Sequence, residues 1–242
     1  TNAHGVHSPF IFNLLIECVY DRSNYSEYET LKRFNRALFK NHSEIQVTDF
    51  GAGSRIFRTQ GRQISKIAKT AGISEKRQRL LFRLTRFLET KNILELGTSL
   101  GMATAALSLG SSNGTITSIE GCHNTADVAK DQFQKYEFKN IDLIVNDFKK
   151  ALDALPKIDL DLIYIDGNHQ KEATLNYFEI LLDRTHNDSI MIFDDIHWSS
   201  GMEQAWKCIA DHPKVTVSVD TYYWGIVFFR QEQVKEHFTI RL

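Results

Sequence analysis

The sequence predicts an α/β fold in which a doubly wound, mostly parallel sheet with an antiparallel last strand follows an N-terminal helical cap. Three observations predict it. From Asn92 onward, apolar runs of strand length alternate with stretches of helix length, the pattern of successive βαβ units. The stretch Ile93-Leu94-Glu95-Leu96-Gly97-Thr98-Ser99-Leu100-Gly101 reads as a strand that stops at a glycine turn and re-enters a helix, 102–109, rich in Ala103, Ala105 and Ala106. The strands then end, one after another, in or beside a carboxylate: Glu120, Asp147, Asp166 and the pair Asp194-Asp195.

The elements follow in order. Pro9 opens a helical pattern with Phe10, Leu14, Leu15 and Cys18 on one side, and a second pattern covers 25–39. Asp49-Phe50-Gly51-Ala52-Gly53-Ser54 resembles a glycine-rich cofactor turn, but Arg55-Ile56-Phe57-Arg58 follows it in place of a small-residue helix, so it reads as a loop. Helices are expected at 61–70 and 74–89. Strands are expected at 92–96, 115–120, 141–146, 160–166 and 189–194, with helices between them. A final pair, 215–219 and 225–230, has too few residues between its members for a crossover helix and must be antiparallel. The expected division is a helical extension over 1–75 and a ligand-binding domain over 76–242, forming one structural unit.

The glycine turn points to a nucleoside-type cofactor. Gly97 and Gly101 remove side chains where a ligand approaches the backbone, and Ser99 is placed to cap the following helix. Gly114-Thr115-Ile116-Thr117-Ser118-Ile119-Glu120 is a turn and a β-rich run whose terminal acid suits the two hydroxyls of a ribose, each charge-assisted hydrogen bond contributing about 1.5–3 kcal/mol. The plainer reading of Glu120 is a strand terminus in solvent. In a parallel sheet these strand ends share one edge, so the acids converge on one crevice.

Composition narrows the partners. The 242 residues are 42% hydrophobic, enough for one α/β core with an extension, and the formal charge of −1 favours no polyanionic or polycationic partner. The charge is unevenly spread, with eleven Lys or Arg against two Glu over 55–91, which is either a solvated helical face or a surface for an anionic partner. Cys18, Cys122 and Cys208 lack the spacing of a disulfide framework or a zinc site. No apolar run is long enough to span a membrane, and Thr1-Asn2-Ala3-His4 lacks a signal-peptide layout, so a cytoplasmic location is expected.

Over residues 76–230 the chain resembles the class I S-adenosylmethionine-dependent methyltransferases, and among them the catechol O-methyltransferase-like small-molecule O-methyltransferases. The resemblance rests on the 93–101 turn, Ser118-Ile119-Glu120, Ile163-Tyr164-Ile165-Asp166-Gly167-Asn168-His169 and Ile192-Phe193-Asp194-Asp195. It implies a Rossmann-like domain that binds S-adenosyl-L-methionine. Glu95, Gly97, Thr98, Ser99 and Gly101 would lie at its methionine and adenosyl end, Glu120 at the ribose, Asp147 and Phe148 beside the adenine, and Asp166 at the methyl-transfer edge. Lys76 and Gln78 look like the segment that closes over the cofactor. Metal-dependent members hold magnesium through an acid after the fourth strand and an acid-amide pair after the fifth, which implies Mg2+ or another divalent cation at Asp166, Asp194 and Asp195.

Two positions depart from that pattern: Asp195 stands in place of an amide, and His169 in place of a lysine. Three carboxylates suit a hard cation. Without an ion, one Asp caps the next helix and another orients substrate. His169 is the candidate base, with Asp166 as its catalytic partner, or else a surface residue at a helix start. His197 and Trp198 are expected to shape the pocket of a small-molecule acceptor, although Trp198 is equally suited to the core. A second copy of the chain is a candidate partner. The alternatives are a nucleic-acid or anionic-substrate methyltransferase, disfavoured because Gly167-Asn168-His169 replaces the Pro-Pro-aromatic turn of that group, and a non-catalytic S-adenosylmethionine-binding protein. A nicotinamide-dependent oxidoreductase would need a third glycine in the turn.

Overall fold

The structure, a computed structural model, describes residues 8–48 and 59–241; the Asp49–Ser54 glycine run lies outside them. Helix α1 (Pro9–Asn13) starts where its composition asks, with Pro9 in the first turn and the Ser8 hydroxyl accepting the Ile11 N–H at 3.3 Å. It continues as π-helical turns over Leu14–Val19. Helix α2 (Glu27–Phe39) buries Tyr28, Leu31, Phe34 and Leu38, a stripe at helical spacing. Strands β1 (Glu44–Gln46) and β2 (Gly61–Gln63) form a small antiparallel pair, so the helix expected from residue 61 begins three residues later, as α3 (Ile64–Thr70). Helix α4 (Glu75–Phe87) is capped by Ser74, whose hydroxyl accepts the Arg77 N–H.

The main sheet contains β3 (Asn92–Leu96), β4 (Thr115–Glu120), β5 (Ile141–Val145), β6 (Leu160–Ile165), β7 (Thr185–Asp194), β8 (Val217–Asp220), β9 (Trp224–Phe228) and β10 (Glu236–Thr239). Its strand order is β10-β8-β9-β7-β6-β3-β4-β5. Strand β9 runs antiparallel to both neighbours, and the other pairings are parallel. The order reverses at β3, where β4 lies on one side and β6 on the other, which is the crevice at which such sheets bind ligands. Strand β10, too short and polar to be read from the sequence, covers β8 at the sheet's edge.

Alternation along the strands builds two cores. Ile93, Ile116, Leu162, Tyr164 and Ile192 face the cap helices, α4, α5 (Met102–Gly110) and α6 (His123–Lys135). Leu94, Ile119, Ile163, Ile165 and Phe193 face α7 (Phe148–Ala154), α8 (Lys171–Leu182) and α9 (Ser200–Asp211). Cap residues Ile11, Leu31, Leu38 and Ile67 belong to the same buried cluster as the sheet, so the cap and the α/β unit share one core.

Candidate active site

Register sets the site. Leu96 pairs with Ile119 on one side and Ile165 on the other, and Ile165 pairs with Phe193. The residues one step further along, Glu120, Gly97, Asp166 and Asp194, therefore stand in a row across four adjacent strand ends. The acids follow the phase of Tyr164 and Ile192 and face the cap.

The bend after β3 is held by this row. Gly97 (φ 104°) donates its N–H to Ile119 O at 2.9 Å, and a Cβ there would lie 2.1 Å from Asp166 O. At Gly101 (φ 80°) a Cβ would meet the Phe133 ring at 2.5 Å. Both glycines thus make room for the protein's own neighbours, and Gly97 also lines the cleft described below. Ser99 does not cap α5; Gly101 occupies the cap position, and Ser99 (φ 49°) turns its N–H to Glu120 Oε2 at 2.8 Å. Glu120 Oε1 accepts the Cys122 N–H at 2.8 Å. Burial pushes the Glu120 carboxyl above its usual range, against these hydrogen bonds.

Beneath the bend, Glu95 is fully buried. Its Oε2 accepts the hydroxyls of Thr104 and Ser118, each at 2.5 Å, and Ser118 is 2.5 Å from the Thr98 hydroxyl. Glu95 Oε1 has no partner among the described residues. Desolvation raises this carboxyl from 4.5 to about 7, opposed by the two hydroxyls. Above the bend, a cleft of about 290 Å3, counting the open solvent at its mouth, lies between Gly72 and Ile73, in the α3–α4 turn, and Gly97, Ser99 and Asp166.

The acids beyond the bend are tied together. Tyr164, fully buried, donates toward Asp194 Oδ2 at 3.1 Å and Asp166 Oδ2 at 3.3 Å. Arg77 Nη1 donates to Asp194 Oδ1 at 2.8 Å, and the Asp195 N–H reaches the same oxygen at 2.8 Å. Burial, then the charges of Asp194 and Asp195, drive the Asp166 carboxyl well above the usual range, and Arg77 opposes them. Burial also raises Asp194, with Arg77 pulling against it. His169 Nε2 lies 3.6 Å from Asp166 Oδ1. Asn168 (φ 69°), His169 (φ 39°), Asp195 (φ 54°) and Tyr222 (φ 76°) join Ser99 as left-handed non-glycine residues at this edge. Such strain persists where surrounding structure imposes it, and it gathers at functional sites.

Other expected residues have local tasks. Asp147 caps α7, accepting the Lys150 N–H at 3.1 Å, and Phe148 packs its ring edge-on against Tyr177 at 5.8 Å, filling the space beside Gly167. Gln78 is fully buried and donates to Met102 O at 2.6 Å, while the neighbouring Lys76 is exposed. His197 sits between Asp220 (2.9 Å) and Glu203 (3.3 Å) and stacks on Tyr222. Trp198 is half-buried. Arg77, Tyr164 and Tyr223, on whose ring the Arg77 guanidinium lies at 4.9 Å, escaped the sequence reading.

A divalent cation does not fit the acids as they stand. Both Asp194 oxygens are engaged, one by a guanidinium, and among the described residues no group of three or more His, Cys, Asp or Glu side chains is disposed to hold an ion.

Comparison with known proteins agrees with this geometry. Residues 94–196, from β3 to just past the Asp194-Asp195 pair, match the methyltransferase domain family. Over this stretch the chain is similar to that family. No curated protein matches the chain. Among solved structures, the chain is similar in fold to the O-methyltransferase from Bacillus cereus in complex with SAH (18% identity, 87% of this chain and 94% of that one, TM-score 0.58). It is also similar to the SAH-bound methyltransferase PaMTH1 from Podospora anserina (16%, 87% and 99%, 0.61). A third is the O-methyltransferase TomG from Streptomyces achromogenes, involved in tomaymycin synthesis, in complex with SAM (14%, 91% and 95%, 0.59). At these identities the likeness shows a shared fold. Among the described residues no helix is long and apolar enough to cross a membrane.

Proposed function

We propose that this chain transfers a methyl group from S-adenosylmethionine to an oxygen of a small-molecule acceptor. The observation that carries the reading is the clasp between the Ser99 N–H and Glu120, which joins the bend to the strand-end acid inside the stretch that matches the methyltransferase domain family. The residues fit the cofactor. Glu120 keeps acceptor capacity for ribose hydroxyls, the cleft opens at Gly97 and Ser99, and the acid-rich edge favours a cationic ligand over a pyrophosphate. S-Adenosylmethionine, when bound, supplies the methyl group as an electrophile on a positively charged sulfur.

The chain's own residues then have to hold the acceptor and manage its proton, since alignment alone is worth about 7–11 kcal/mol. His169 is the candidate to take that proton, with Asp166 Oδ1 3.6 Å from its Nε2. Tyr222 and Tyr223, both exposed, border the site beside His197 and offer flat apolar faces to an acceptor.

Calorimetry with S-adenosylmethionine and S-adenosylhomocysteine tests the reading. Wild type is expected to bind both, and Glu120→Gln to bind about 10–100-fold more weakly, the equivalent of a charge-assisted hydrogen bond or two. Absence of binding by wild type overturns the proposal. Labelled methyl transfer to RNA but to no small hydroxylated compound overturns the acceptor class.

A further inference from the structure

We infer that Arg77 is the resident cation of this active site, taking the place that a divalent metal would hold among Asp166, Asp194 and Asp195. The inference deepens the methyltransferase reading and rests on it for its meaning, but not for its test. Arg77 enters from the first turn of α4, on the cap side, where Ser74 fixes the helix start. Its Nη1 is 2.8 Å from Asp194 Oδ1, and the two side chains are 17% and 6% exposed, so the pair is largely withdrawn from water. The guanidinium plane is held on a second side by the Tyr223 ring.

The other acceptor positions of Asp194 are committed as well. Asp194 Oδ1 also takes the Asp195 N–H, and Asp194 Oδ2 faces the Tyr164 hydroxyl, which lies within reach of Asp166 Oδ2 as well. Magnesium demands a nearly octahedral set of free oxygens and sheds water reluctantly. Here it would have to displace a buried guanidinium or sit beside it. Arg77 is thus a positioning residue: it balances the acids, fixes Asp194 and Tyr164, and through them the edge that Asp166 presents to the cleft. Methyl transfer at this site accordingly needs no divalent ion.

Titration with Mn2+, followed by the spectrum of the free ion, reads this directly and requires no acceptor. Wild type and Arg77→Lys are expected to show no saturable binding at millimolar Mn2+. Arg77→Met, which removes the charge but keeps the length, is expected to gain one Mn2+ per chain, and the double variant Arg77→Met/Asp194→Asn to lose it. One Mn2+ per wild-type chain that disappears in Asp194→Asn overturns the inference, as does a folded Arg77→Met that still binds none. Should Arg77→Met fail to fold, the wild-type and Asp194→Asn titrations decide. S-Adenosylhomocysteine affinity measured in EDTA and in magnesium separates the two proposals: equal affinity supports a metal-free site, affinity that requires magnesium overturns it, and only the absence of affinity in both media strikes at the methyltransferase reading.

Discussion

Glu95 is one residue through which this fold feels pH. It is fully buried with one oxygen lacking a partner among the described residues, and its carboxyl rises from 4.5 to about 7. Below about pH 4.5 the group is protonated in both folded and unfolded chains. Between there and about pH 7 the folded protein keeps the proton that the unfolded chain releases, so stability falls as pH rises. The span from 4.5 to about 7 corresponds to about 3 kcal/mol, present in acid and lost by pH 8. Glu95→Gln is expected to flatten this part of the profile, read as the wild-type-minus-variant difference in urea unfolding between pH 5 and pH 8. An unchanged difference would mean that Oε1 has a partner after all. The acids of the site were legible because each ends a recognisable apolar run. Arg77 was not, since its partner is 117 residues away and nothing separates it by pattern from Lys76 or Arg79.

Among the elements, α4 does more than cover the sheet. Gln78 donates to Met102 O and exchanges hydrogen bonds with Asn35, so one buried amide ties α4 to the start of α5 and to α2, beside the turn that roofs the cleft. Gln78→Leu keeps the volume but leaves a buried carbonyl and a buried amide unpaired, at a cost of about 1–3 kcal/mol for each group left without a partner. The expected outcome is a lower urea midpoint and weaker S-adenosylhomocysteine binding together; a lower midpoint with unchanged affinity would separate the tie from the cleft. The sequence suggested a closing segment here and named Lys76 and Gln78, yet the helix turns Lys76 to solvent and Gln78 inward. Strands β3 to β6 were readable from their apolar runs. Strands β1, β2 and β10 were not: Gly61-Arg62-Gln63 and Glu236-His237-Phe238-Thr239 carry no alternation long enough to register. Strand β7 starts at Thr185, four residues before its apolar run, because the polar segment 185–188 joins the sheet across a register irregularity, with His186 on Asp161 at 2.9 Å.

At the scale of the whole molecule, the cleft lies between the helical extension and the ligand-binding part that the sequence reading joined as one structural unit. The cap contributes Gly72 and Ile73 to its roof, and the α/β unit contributes the bend and Asp166 to its floor. Cap residues and sheet residues also occupy one continuous core, so neither part can lose its packing without exposing apolar surface of the other. Unfolding should therefore be a single cooperative event, and a ligand seated between the two parts should stabilise both. At a free concentration of one hundred times its Kd, a ligand that binds only the folded state adds about 2.7 kcal/mol. For a chain of this length that is a rise in Tm of roughly 5–10 °C. Differential scanning calorimetry with and without S-adenosylhomocysteine is expected to show one transition that moves upward as a unit. Two transitions, of which only the upper moves, would assign the ligand to the α/β unit alone and leave the cap as a separately folding cover.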